Sequence, residues 1–171
     1  MARWVDIFSA GVDVGSFTRS EIARHDWGGM ECGCERTAEH LSQVLQSVAD
    51  GQPDIVRALD NHAFIQSNLM EPAPAVAAVA MAMFVDGSSG GSLSDAVWIL
   101  WCIAECEGDV DPDEPTLFSE SVVQIQQGIW SLYGELMRSQ DELIVDRLLD
   151  ILRVVEPHPE RLRSYRELLG L

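Results

Sequence analysis

The chain is predicted to be all-α, a succession of antiparallel helical hairpins forming an α-solenoid or an irregular helical bundle. Three observations lead there. Apolar residues recur at steps of three and four through most of the 171 residues, the spacing that lines one face of a helix. No run alternates apolar and polar positions over the length a strand needs. The periodic stretches are separated by short segments rich in Gly, Pro, Asp and Ser, which punctuate helices.

The elements follow in chain order. Ser16 to about Trp27 is a short helix candidate, and Gly28 to Glu35, GGMECGCE, reads as irregular. Thr37 to Ala49 carries Ala38, Leu41, Leu45 and Val48 on one stripe, with Thr37 as expected N-cap and Gly51 after the end. Pro53 sits where a helix can begin, and that helix is expected to run to about Leu69 with Val56, Leu59, Ala63 and Phe64 inward. Ala75 to Val85 is apolar on every side, as is Ser94 to Glu107. Such helices are surrounded by others, so this pair is expected at the middle of the core. The loop between them, DGSSGGS from Asp86 to Ser92, has linker composition.

Asp109 to Pro115, DVDPDEP, is acidic and broken by proline. One long helix is then expected from Leu117 to Arg138, its buried face holding Phe118, Val122, Ile125, Ile129, Leu132 and Leu136. Asp141 to Val155 and Pro159 to Leu169 complete the chain. The whole is one domain: an N-terminal helix and irregular segment (1–36), central hairpins (37–107) and C-terminal helices (116–171).

Composition excludes several kinds of chemistry. Hydrophobic residues make up 47% of the chain, the ordinary share of a protein with a buried core. Acidic residues number 28 against 11 basic ones, a formal net charge of −17. Every basic residue is Arg. With no Lys, neither a Schiff-base lysine nor a phosphate-loop lysine is available. The charge repels nucleic acid and anionic membranes and attracts a basic partner. No signal peptide is visible, and the longest apolar run, Ala73 to Val85, is too short to span a bilayer. The cytoplasm is the expected location, with the four cysteines reduced.

Several groupings have the letters of a site. Gly87-Ser88-Ser89-Gly90-Gly91 spells G-x-S-x-G, but a serine-hydrolase elbow needs a strand before it, and here a helix precedes. Cys32 and Cys34 lie near His25 and His40, four zinc-type ligands within sixteen residues. Against zinc, the C-x-C spacing is tighter than usual and no second cysteine pair follows, so the expectation is a compact turn with small buried thiols and no metal or other cofactor. Cys102 and Cys106 share a helix face and read as core. Asp109, Asp111, Asp113 and Glu120 fall at positions 1, 3, 5 and 12 of a calcium loop. Glu114 stands where that loop needs Gly, and Pro112 and Pro115 stiffen it. Of the five tryptophans, Trp98 and Trp101 read as core, and any exposed one would be a binding anchor.

Within Asp54–Val85, the run IVRALDNHAFIQSNLMEPAPAVAAVAMAMF resembles a degenerate HEAT-like helical-repeat family of bacterial proteins. Arg57-Ala58-Leu59 matches the family's opening helix, Gln66 and Leu69 its turn, and Ala73-Pro74-Ala75-Val76 its next helix. The preceding Cys34 to Val48 fits the helix that opens the first hairpin. The chain departs from the pattern at Ile65-Gln66-Ser67, where the family has a more polar turn. The resemblance covers roughly residues 32 to 107. It implies antiparallel hairpins in a HEAT-like arrangement, and an immunity protein that neutralises a cognate toxin by direct binding. On that reading the protein is not an enzyme. The acidic surface adds that its partner is a basic toxin or effector domain, met by Glu105, Glu107, Asp109, Asp111, Asp113 and Glu114, and by Asp141, Glu142 and Asp146. The alternatives are a cytoplasmic helical-repeat scaffold or adaptor, and a zinc protein using the Cys32/Cys34 cluster.

Overall fold

The computed structural model describes residues 15–52, 55–86, 91–106 and 115–171. The helices among them are α1 (Ser16–Arg24), α2 (Glu39–Ala49), α3 (Ala73–Val85), α4 (Gly91–Ala104), α5 (Leu117–Gln126), α6 (Ile129–Leu136), α7 (Glu142–Val155) and α8 (Pro159–Leu169). The all-α character stands. A two-stranded antiparallel hairpin, β1 (Phe64–Ile65) and β2 (Asn68–Leu69), pairs Phe64 with Leu69 and Ile65 with Asn68.

α3 is the centre of the molecule. Its sequence, APAVAAVAMAMFV, has no polar face to turn outward, so it must be enclosed. It packs against α1, α4 and α5, and α4 packs in turn on α7. Leu100 and Ile103 of α4, Ile125 of α5 and Leu148 of α7 are fully buried around this axis. Each such side chain contributes about 1.5–3 kcal/mol by leaving water. α6 and α8 lie on α7, and α2 lies on α1 and on the 3-10 turn Ile55–Leu59. The pair α3 and α4 therefore takes the central place their composition demands.

Polar groups join elements distant in sequence. α1 begins at Gly15 with no side-chain cap of its own. Asp86, at the end of α3, accepts the Phe17 and Thr18 amides at 3.1 and 2.8 Å and the Thr18 hydroxyl at 2.5 Å. A carboxylate there satisfies orphan amides and faces the positive end of the helix dipole. At the other end of α1, Trp27 Nε1 donates to the Ile22 carbonyl at 2.7 Å. Glu156, whose side chain is 1% exposed, takes both arms of Arg161, at 2.7 and 2.6 Å, the Tyr133 hydroxyl at 2.6 Å and the His158 amide at 2.7 Å. That node ties α6, α7 and α8 together.

Four expectations need correcting. The stretch from Pro53 to Leu69 is not a helix in its described part. It forms the 3-10 turn, then a turn through Asn61 at φ 63°, then the hairpin, with Gln66 at φ 54°. Left-handed residues end a right-handed helix. Leu59, Ala63 and Phe64 are buried nonetheless, because a tight turn followed by a hairpin can put the same residues inward. The long helix from Leu117 to Arg138 breaks at Gln127–Gly128 into α5 and α6. A Cβ on Gly128 would stand 2.4 Å from Met81 Cε, so the break falls where the chain lies close against α3. Thr37 does not cap α2. It bridges to Glu31, and Ala38 holds the cap position. Finally, the absence of strands fails at the hairpin, whose two-residue strands are too short to show alternation.

Candidate metal centre

The loop before α2 closes on itself. The Ala38 amide donates to the Met30 carbonyl at 3.0 Å, Cys32 N to Arg36 O at 2.8 Å, and Glu35 N to Cys32 O at 2.9 Å. Glu35 sits at φ 61° to complete the turn. Gly33 lets this turn rest against the segment beyond the 3-10 helix: its amide donates to the His62 carbonyl at 3.0 Å. A Cβ there would lie 2.7 Å from Ile65 Cδ1 and 2.9 Å from the Asn61 carbonyl oxygen. The C-G-C order thus places both sulfurs beside His62. His40 comes from the first turn of α2 and faces the same point.

Cys32, Cys34, His40 and His62 bring their ligand atoms within 4.8 Å of one another. His62 Nδ1 lies 3.1 Å from Cys32 Sγ and 3.0 Å from His40 Nε2, and His40 Nε2 lies 3.6 Å from Cys32 Sγ. Zinc–ligand lengths set the edges of a tetrahedral site at about 3.3 Å between nitrogens and about 3.8 Å between sulfurs. The spacing is therefore near that of a zinc site. His40 Nδ1 is 3.1 Å from the Thr37 carbonyl, which fixes its proton there and leaves the Nε2 lone pair toward the cluster. Ligand histidines are commonly oriented in this way.

The electrostatic setting of the four groups is mixed. Burial, then His40 and Arg36, holds the His62 pKa down and keeps the ring neutral. Burial pushes the Cys32 thiol up, whereas the Arg36 side chain draws Cys34 down. Two thiolates and two neutral imidazoles would balance a divalent ion, and with four protein ligands no position is left for water or substrate. Cys34 joins the cluster through side-chain hydrogen bonds to Cys32 and to Arg36.

The membership differs from the sequence grouping. His25 is elsewhere, 3.1 Å from Glu21 and edge-on to Trp27, with its pKa lowered by burial and by Arg24. His62 takes its place. Periodicity assigns the segment around it to a helix, although Asp60 and Asn61, both turn formers, stand directly before His62. Cys102 in α4 and Cys106 just beyond its end are apart from the cluster, packed with the core: Cys106 Sγ donates to the Cys102 carbonyl at 3.2 Å, and burial pushes the Cys102 pKa up to about 12.

Glu107, Asp109, Asp111, Asp113 and Glu114 lie outside the described residues, as do the first three positions of the calcium spacing and Gly87 to Gly90 of the serine motif. Glu105 is exposed just beyond α4, and Asp141, Glu142 and Asp146 are exposed at the start of α7. Asp141 also caps that helix, accepting the Leu143 and Ile144 amides at 3.0 and 3.4 Å. Trp27 is buried, Trp98 and Trp101 are half-buried, and Trp130 is 61% exposed with Arg161 stacked 4.7 Å over its ring. No helix among the described residues is long and apolar enough to cross a membrane. No family model, curated protein or solved structure matches this chain.

Proposed function

We propose that this protein is a non-catalytic helical binding domain whose irregular segments around the cluster are held by a zinc ion at Cys32, Cys34, His40 and His62. The observation that carries the zinc reading is the meeting of those four side chains from three separate segments. Zinc suits two thiolates and two imidazoles in a closed tetrahedral set. It would supply folding free energy rather than a reaction. Apparent zinc-binding energies of roughly 10–16 kcal/mol in small domains match or exceed the whole stability of a typical domain, about 5–15 kcal/mol. One ion would therefore decide whether residues 30–37 and 60–65 keep their shape. The zinc reading, an alternative at the level of sequence, so takes precedence over the expectation of no metal.

Stoichiometric zinc in the purified full-length protein, lost together in Cys32→Ser and His62→Ala, is the expected result. Cobalt substitution should give the visible absorption of a tetrahedral thiolate site. Metal-free protein that takes up neither ion under reducing conditions would remove the proposal.

The binding part of the proposal rests on charge. A formal net charge of −17 on a helical scaffold, with Glu105, Asp141, Glu142 and Asp146 at the surface, favours a basic protein partner and disfavours nucleic acid. Toxin neutralisation in a HEAT-like frame remains what the resemblance of residues 32 to 107 implies, and a general adaptor would use the same surface. A toxin gene next to this one, with its product co-purifying, supports the first. A neighbourhood with no toxin gene and capture of host proteins supports the second.

A further inference from the structure

We infer that Cys32 and Cys34 form a peroxide-sensitive latch on the metal, closing into a disulfide that expels the ion. The inference rests on the zinc reading above and adds regulation to it. Three structural features carry it. The two cysteines are separated only by Gly33 and belong to one tight turn, held by the bond from Glu35 N to Cys32 O at 2.9 Å. Their sulfurs lie within 4.8 Å of each other, and rotation of both side chains with adjustment of the turn must bring them to a bond length of about 2 Å. They also differ in access: Cys32 is 2% exposed, while Cys34 is only half-buried.

Metal-bound cysteines are thiolates, the form that oxidants attack. Hydrogen peroxide reaches Cys34 first. Its sulfur forms a bond to one peroxide oxygen as the O–O bond breaks and hydroxide leaves. The Cys32 thiolate then attacks the Cys34 sulfur, the S–S bond forms, and the oxygen departs as a second hydroxide. The two sulfurs together lose two electrons, which peroxide accepts, and zinc keeps its charge throughout. Only the two imidazoles of His40 and His62 then remain as ligands, and the ion is released. Cys102 and Cys106 do not compete, because burial keeps both as thiols.

The test uses the full-length zinc-loaded protein, its zinc content measured beforehand, with a chromogenic zinc chelator in solution. Peroxide in modest excess should release all the zinc. Cleavage after Arg24 and Arg36 yields a peptide holding both cysteines, and its mass should fall by two hydrogens. Dithiothreitol with added zinc should reverse both changes. Zinc that stays bound under peroxide, or leaves with sulfinic acid on this peptide instead of the disulfide, would overturn the latch while leaving the zinc reading intact. Protein that binds no zinc at the outset would overturn both.

Discussion

Glu156 shows what a single residue contributes when its surroundings are chosen for it. Burial alone would raise its carboxyl, but Arg161, Tyr133 and the His158 amide outweigh that and bring the pKa down to about 2, from 4.5 in an unfolded chain. The charged form is thus favoured by folding, so its contribution is complete above pH 4.5 and disappears as the pH falls from there toward 2. The shift corresponds to about 3 kcal/mol at neutral pH. Urea denaturation should show the native protein losing stability over that window. Glu156→Gln, which keeps the size and loses the charge, should be less stable at pH 7 and flatter across it. An unchanged pH slope in that variant would show that other carboxylates carry the acid response. Met81 and Gly128 illustrate the opposite case, in which a residue matters for what it lacks.

At the level of the element, α7 separates two duties of one side chain. Asp141 caps the helix through bonds to the Leu143 and Ile144 amides, and its charge also belongs to the acidic surface expected to meet a partner. Asn retains the cap and removes the charge, whereas Ala removes both. Asp141→Ala should cost about 1 kcal/mol in thermal or chemical unfolding, and Asp141→Asn only a few tenths. Equal losses in the two variants would mean that charge at the helix terminus, not the cap bond, holds this end. With the partner in hand, Asp141→Asn reads the charge contribution to affinity on a correctly capped helix. α5 begins in a comparable way, with Thr116 and Ser119 exchanging side-chain bonds to each other's amides at 3.1 and 2.9 Å.

At the level of the molecule, stability is concentrated around α3 and α4. Leu100 is fully buried in α4, and the surrounding helices cannot all close on a void at once. Leu100→Ala should therefore cost about 2–5 kcal/mol, measured by equilibrium denaturation, with helical circular dichroism retained before the transition. A loss below 1 kcal/mol would mean that the core repacks freely and that the two central helices are not its fixed axis. The segments around the four-ligand cluster are organised differently. They have short backbone hydrogen-bonded turns and few large buried side chains, so four ligands meeting at one point would do there what apolar packing does around α3.

Helix positions and the apolar nature of α3, α4 and α7 could be read along the chain, because a face repeated every three to four residues depends only on near neighbours. The pairing of Cys32 and Cys34 in one turn was visible for the same reason. The hairpin at Phe64 to Leu69, the bend at Gly128 and the entry of His62 into the cluster were not. Each depends on a surface supplied from far away in sequence: Gly33 against Asn61, Met81 against Gly128, and the α2 face that turns His40 toward His62. Local spacing specifies which side of an element is apolar; only packing against other elements decides where a chain must bend and which distant ligands come within a few ångströms of each other.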